Sequence, residues 1–151
     1  MAFELGDIFV TRNFNEDDNN MPGYWNHVAI WTTNGVVEAQ LPPWNSVICS
    51  VPEEFLKRYA DYEVYRYNRE SDKHLLIGEK AAMAAVALIG RPYQFLASLF
   101  PRLKHRRGEN CVSVIRKSYK DATGVDPGWK IPDDVTSDGN LTKVEIISNR
   151  V

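Results

Sequence analysis

Three side-chain types, set far apart along this chain, have between them the chemistry of acyl transfer: a thiol, an imidazole and a carboxylate. Cys111 stands in GENCVSVIRKSY (108–119), directly after Asn110. Asparagine is among the best N-cap residues, so Cys111 is expected in the first turn of a helix. Unpaired N–H groups and the positive end of the helix dipole favour a thiolate there, and the thiolate is the working nucleophile. The same position suits a small apolar side chain filling a core gap, the ordinary role of a free cysteine. Stepping about 100° per residue puts Val112, Ile115, Tyr119 and Ala122 on the side of Cys111. Val114 lies at the edge of that stripe, with Ser113, Arg116, Lys117 and Lys120 opposite. Cys111 is therefore expected to face inward on an amphipathic helix.

A cysteine nucleophile needs a base, usually a histidine oriented by a third polar group. The chain has three histidines. His105 lies in the basic run RLKHRR and His74 near a helix start, and both read as solvated surface residues. His27 begins a strand that otherwise reads as core, where a histidine is either a satisfied structural group or a base. The third group would come from the hairpin NHVAIWTTNGVVEAQ (26–40), in which His27, Ala29 and Trp31 share a face. A tight Asn34-Gly35 turn pairs Trp31 with Glu38, leaving Glu38 roughly 13 Å along from His27. A four-residue loop, Thr32 to Gly35, pairs Ala29 with Glu38, about 7–8 Å diagonally from His27 between Cβ atoms. Gln40 then lies directly across from His27 and is an alternative orienting group. A three-residue loop turns Glu38 to the other face, as an exposed strand residue.

The elements that must carry these residues read as follows. GDIFVTR (6–12) is a strand, NFNEDDNNMPG (13–23) a polar loop, and 26–40 a hairpin around Asn34-Gly35. SVICS (46–50) is a short strand. VPEEFLKRYA (51–60) has Pro52 and two glutamates in a first helical turn, and DYEVYRYN (61–68) alternates as a strand. Asp72 caps a long helix to about Ile89, stopped by Gly90 and Pro92. Residues 96–110 are loop with a short helical turn, the Cys111 helix ends near Gly124, 124–134 is loop, and TKVEIIS (142–148) is a final strand. Strands come mostly early and helices mostly late, which favours α+β over alternating βαβ units.

Composition narrows the function classes. At 151 residues, 44% hydrophobic and 25% charged, the chain suits one globular domain, 1–151. A net charge of −2 gives no reason to expect nucleic acid or an acidic membrane. The longest apolar run, AAMAAVALI, is too short to span a bilayer. No signal peptide is visible at MAFELGDIF, and two cysteines make no disulfide framework. A cytoplasm-like compartment is expected. No Cys and His cluster has zinc spacing, and nothing in the sequence requires a metal or organic cofactor. The acidic run NEDDNN leads toward His27 and the basic run RLKHRR toward Cys111; each either borders a cleft for a charged substrate or is a solvated loop. Tyr24, Trp25 and Trp31 line an apolar pocket or fill the core. The oligomeric state is not legible.

Taken together the motifs resemble the NlpC-type papain-like cysteine peptidases. In that family a strand beginning H-V-G-I-Y hairpins into a strand bearing a polar residue, and a G-x-P-Y segment precedes a Cys that opens a helix. HVAIW (27–31), VVEAQ (36–40), GRPY (90–93) and NCVSVI (110–115) match these in turn. The order here, His27 then Glu38 then Cys111, is that of the circularly permuted branch, which holds the YiiX-like and the lecithin:retinol acyltransferase-like proteins. The opening GDI, the EA after the hairpin and the helix-and-strand insert of 52–68 look most like the YiiX-like members. The resemblance covers roughly residues 6–120. It implies a permuted papain-like fold with an antiparallel sheet packed against helices. It also implies Cys111 as nucleophile, His27 as base, Glu38 as the group orienting His27, and Tyr93 as a contact for substrate or oxyanion. Tyr93 reads equally as a ring packed behind a turn. The expected activity is a cysteine amidase or peptidase working through a thioester on a small peptide or amino-acid derivative. The alternatives are a thiol acyltransferase or lipid-amide hydrolase, and a binding module that kept the fold without catalysis. Val112 stands where many relatives have Ser, and Asn110 looks like the acyltransferase-like pattern; both differences bear on substrate.

Overall fold

The structure, a computed structural model, describes residues 3–13, 24–40, 44, 46–69, 73–92 and 110–144. Six strands form one antiparallel sheet: β1 (Ile8–Asn13), β2 (His27–Thr32), β3 (Gly35–Gln40), β4 (Ser46–Ser50), β5 (Tyr59–Tyr67) and β6 (Leu141–Val144). Their order across the sheet is β4-β3-β2-β1-β5-β6. Among the described residues four helices accompany it: α1 (Pro52–Lys57), α2 (His74–Ala87), α3 (Cys111–Thr123) and α4 (Pro132–Thr136).

Alternation along the strands builds two cores, one on each face of the sheet. Ile8, Val10, Val28, Ile30, Val37 and Ala39 meet α2 and α3 through Ala81, Ala85, Val114, Ile115 and Tyr119. Phe9, Ala29, Val36 and Val64 point the other way and meet Phe55 of α1 and Tyr59. The central strands are thus apolar on both faces, and a charged residue among them must be paired.

The hairpin adopts the second of the three registers. Thr32 pairs with Gly35, Trp31 with Val36 and Ile30 with Val37, so Thr33-Asn34 form the tip. The Thr32 hydroxyl fixes this turn, accepting from the Asn34 N–H at 3.2 Å and donating to the Gly35 carbonyl at 2.8 Å. Gly35 sits at φ 129°, and a Cβ there would come within 2.6 Å of the Ser50 carbonyl oxygen. The glycine therefore serves the close approach of β4 rather than the tip of the turn.

A second glycine contact joins the N-terminal turn to α2. A Cβ on Gly78 would lie 2.3 Å from the Leu5 carbonyl oxygen, and one on Gly6 would lie 2.5 Å from the Gly78 Cα. The buried Tyr119 hydroxyl of α3 donates to the Gly6 carbonyl. The adjoining Asp7 accepts two 2.8 Å hydrogen bonds from the Arg66 guanidinium of β5 in a buried bidentate pair, and a third from the Glu4 N–H.

Some boundaries differ from the sequence expectation. α1 stops at Lys57, because the Arg58 N–H turns back to the Phe55 carbonyl and β5 begins at Tyr59. The stretch 124–134, read as loop, ends in the helix Pro132–Thr136; Pro132 opens the turn, and the Asp134 carboxylate accepts from the N–H groups of Lys130 and Ile131. The Asp72 cap, the loops 14–23 and 96–109, and strand residues 145–148 lie outside the described residues.

Candidate active site

Cys111 is the first residue of α3. The Asn110 side chain accepts from the Ser113 N–H at 2.8 Å, and the Ser113 hydroxyl accepts from the Asn110 N–H at 2.8 Å. This reciprocal capping box fixes where the helix starts and so where the sulfur points. The face expected from the helical step is the face observed: Cys111, Val112, Val114, Ile115, Ser118 and Tyr119 are buried, and Gly124 closes the helix at φ 79°.

His27 is the first residue of β2, only 3% exposed. The chain entering the strand is pinned by Asp133 of α4, whose carboxylate accepts from the N–H groups of Tyr24 at 3.0 Å and Trp25 at 2.9 Å. The Asn26 N–H then donates to the Thr11 carbonyl at 3.1 Å. Three connections thus set the height at which the imidazole leaves the backbone.

Glu38, in the middle of β3, is completely buried. Its Oε1 lies 3.4 Å from His27 Nε2. The same oxygen accepts from the Gln40 amide and, at 3.4 Å, from the Tyr59 hydroxyl. Its Oε2 accepts from Arg58 Nη2 at 3.0 Å. Gln40 also donates to the Tyr59 hydroxyl at 3.0 Å. Of the two candidates, Glu38 is the one within 3.4 Å of His27, and Gln40 donates to Glu38. The Tyr59 ring stacks on the imidazole, with 5.5 Å between centroids and 16° between planes.

The electrostatics follow from this arrangement. Burial disfavours a charged imidazole, but the nearby Cys111 and Glu38 outweigh it, pushing the His27 pKa up to about 9. Burial would raise the Glu38 carboxyl, yet His27, Arg58 and Gln40 hold it below its ordinary range. Burial, with the Glu38 charge beside it, raises the Tyr59 phenol far above its ordinary value, so it stays a neutral donor. His27 Nε2 is buried and, among the described residues, makes no hydrogen bond of good geometry. The 3.4 Å contact to Glu38 is ion-pair distance rather than a close hydrogen bond.

Three of the four residues singled out from the sequence, Cys111, His27 and Glu38, converge. Tyr93 lies outside the described residues, as do His105 and the runs NEDDNN and RLKHRR. The GRPY segment is described as far as Pro92, which bridges to Ser46. His74 sits half-buried at the start of α2. Of the aromatic residues before and within the hairpin, Trp25 is buried in the helix-side core, Trp31 packs on Phe3 and Phe9, and Tyr24 is 51% exposed. Arg58, Tyr59 and Asp133 escaped the sequence reading. The only signal for Arg58 was indirect: a glutamate between Val37 and Ala39 on a core strand needs a cation.

A family model described as permuted papain-like amidase enzyme, YaeF/YiiX, C92 family, matches residues 3–130. The chain belongs to this family. Among solved structures, the metalloprotein yiiX from Escherichia coli O157:H7 superposes with a TM-score of 0.70 at 17% identity, covering 94% of this chain and 96% of that one. At that identity the likeness speaks for the fold. No curated protein matches the sequence. The permuted papain-like amidase fold and its six-stranded sheet with helices agree with the expected α+β class. Among the described residues, no three His, Cys, Asp or Glu side chains gather as a metal site. No helix among them is long and apolar enough to cross a membrane.

Proposed function

We propose that this papain-like amidase is a cysteine hydrolase that cleaves an amide bond through a thioester, with Cys111 as nucleophile, His27 as base and acid, and Glu38 as the group orienting His27. The observation that carries the reading is the surroundings of one imidazole. His27 is buried, Glu38 lies 3.4 Å from its Nε2, and both Cys111 and Glu38 favour its protonated form. With Nε2 turned to Glu38, Nδ1 is the nitrogen left for the sulfur.

The steps follow from these positions. His27 holds the proton given up by Cys111 in an ion pair, and the thiolate attacks the amide carbonyl, forming the S–C bond and a tetrahedral oxyanion. The Cys111 N–H, in the first turn of α3, has no carbonyl partner within the helix and is a natural donor to that oxygen. The C–N bond breaks as His27 returns its proton to the leaving amine. Water then attacks the thioester, His27 accepts one of its protons, and the C–S bond breaks to release acid and restore the thiol. Tyr93 is proposed as a substrate-side contact on the strength of the family resemblance. The substrate class proposed is an amide of a small peptide or amino-acid derivative.

A panel of short peptides and acyl lipids, followed by intact-protein mass, tests this. Wild type is expected to release amine from peptide amides and to carry a transient acyl adduct that Cys111→Ser does not form. An adduct formed from lipid donors only, and passed to a second acceptor instead of water, would move the assignment to acyl transfer.

A further inference from the structure

The fixing of Glu38 extends beyond the three residues proposed for the chemistry. Arg58, at the junction of α1 and β5, gives Nη2 to Glu38 Oε2 at 3.0 Å and to the Ser50 hydroxyl at 2.9 Å. Its guanidinium carbon also lies 5.6 Å from the ring centres of both Trp44 and Phe55, and 5.9 Å from that of Tyr59. Three rings, a hydroxyl and a buried carboxylate therefore hold one cation whose side chain is 29% exposed. This is far more construction than a surface ion pair needs, since exposed pairs are worth little and are loosely held.

The arrangement divides the two oxygens of Glu38. Oε2 belongs to Arg58, and Oε1 belongs to His27, Gln40 and Tyr59. A carboxylate free to rotate would present either oxygen to the imidazole. A carboxylate without a nearby cation would also hold the proton on His27 more tightly, hindering its return to a leaving group. The titratable groups around this point are His27 from β2, Cys111 from α3, Tyr59 from β5 and Cys49 from β4, each linked electrostatically to Glu38 or to its partners. Arg58 is the cation whose hydrogen bond reaches Glu38 directly.

We propose that Arg58 is a positioning residue for the dyad: it fixes Glu38 with one oxygen turned to His27, and it offsets part of the carboxylate's charge. The proposal rests on the reading of Cys111 and His27 given above, but its test does not depend on catalysis.

The imidazole signals of His27 are followed by NMR against pH in wild type, Arg58→Met and Arg58→Lys. Arg58→Met removes the charge at similar length and is expected to move the His27 titration upward by about one pH unit. Arg58→Lys restores most of the wild-type position. Arg58→Met leaves a buried carboxylate short of a cation and so strains folding. The same change is therefore also made in Glu38→Gln, where Arg58 has no carboxylate to act on and the His27 titration is expected to stay where Glu38→Gln alone puts it. A His27 titration that stays put in folded Arg58→Met, or one that rises in the double variant against its parent, shows that Arg58 does not act through Glu38 and overturns the proposal. Failure of the catalytic reading is separate, and appears as a Cys111 reactivity that ignores His27.

Discussion

At the scale of single residues, the protein places its ionisable groups where their charges depend on one another. His27 lies above its ordinary value of 6.5, at about 9. Its protonated form is therefore favoured in the folded state. The stability it contributes is complete below about pH 6.5 and is lost as pH rises through about 9. Thermal melts from pH 6 to 10 are expected to show a fall in wild type across that window, and His27→Ala is expected to lack that component. Glu38 carries the opposite sign, because its carboxyl is lowered. Its contribution is present above the ordinary carboxylate range and is lost as pH falls through the lowered value. Glu38→Gln is expected to bring the His27 titration down, since a neutral amide no longer favours the imidazolium. An unmoved titration there would mean that Glu38 does not act on His27.

At the scale of elements, the capping box and the hairpin turn do the positioning. Asn110→Ala removes the acceptor for the Ser113 N–H and is expected to cost about 1 kcal/mol by denaturant unfolding. Gly78→Ala has no room against the Leu5 carbonyl. It is expected to push α2 from the N-terminal turn and lower the melting temperature, although alanine is the better helix former. A rise instead would show that α2 shifts freely. This scale also shows what the sequence made legible. Asn110 before Cys111, the amphipathic step of 111–122 and the β-branched hairpin marked α3, β2 and β3 without any structure, since each signal is local. The hairpin register was not legible among three choices, because it is decided by the Thr32 hydroxyl and by the approach of Ser50 to Gly35. Helix α4 was missed because five residues are too few to show a period, though Pro132 with Asp133 and Asp134 is a helix-opening pattern. Arg58 and Asp133 reach their partners across 20 and about 108 residues of chain, and no local spacing announces such pairs.

At the scale of the whole molecule, the order of the chain and the two-sided sheet explain each other. His27 and Glu38 come from adjacent strands near the N-terminus, Cys111 from a helix that arrives much later, and the sheet interior joins them. β1 and β2 are flanked by strands on both sides and covered by apolar groups on both faces. Their amides are expected to exchange hydrogen most slowly, and those of edge strands β4 and β6 fastest. Equal protection across the sheet would contradict that layering.

The most direct measurement is the alkylation rate of Cys111 near neutral pH, made in Cys49→Ser so that the exposed second thiol does not contribute. Cys111 and His27 lie beneath the surface, at 1% and 3% exposure, so the rate reports access as well as reactivity. The account predicts rapid alkylation and a loss of about 100-fold or more when His27 is replaced by alanine. Equally slow rates with and without His27 would contradict it, and would leave Cys111 as a packing residue at the start of its helix.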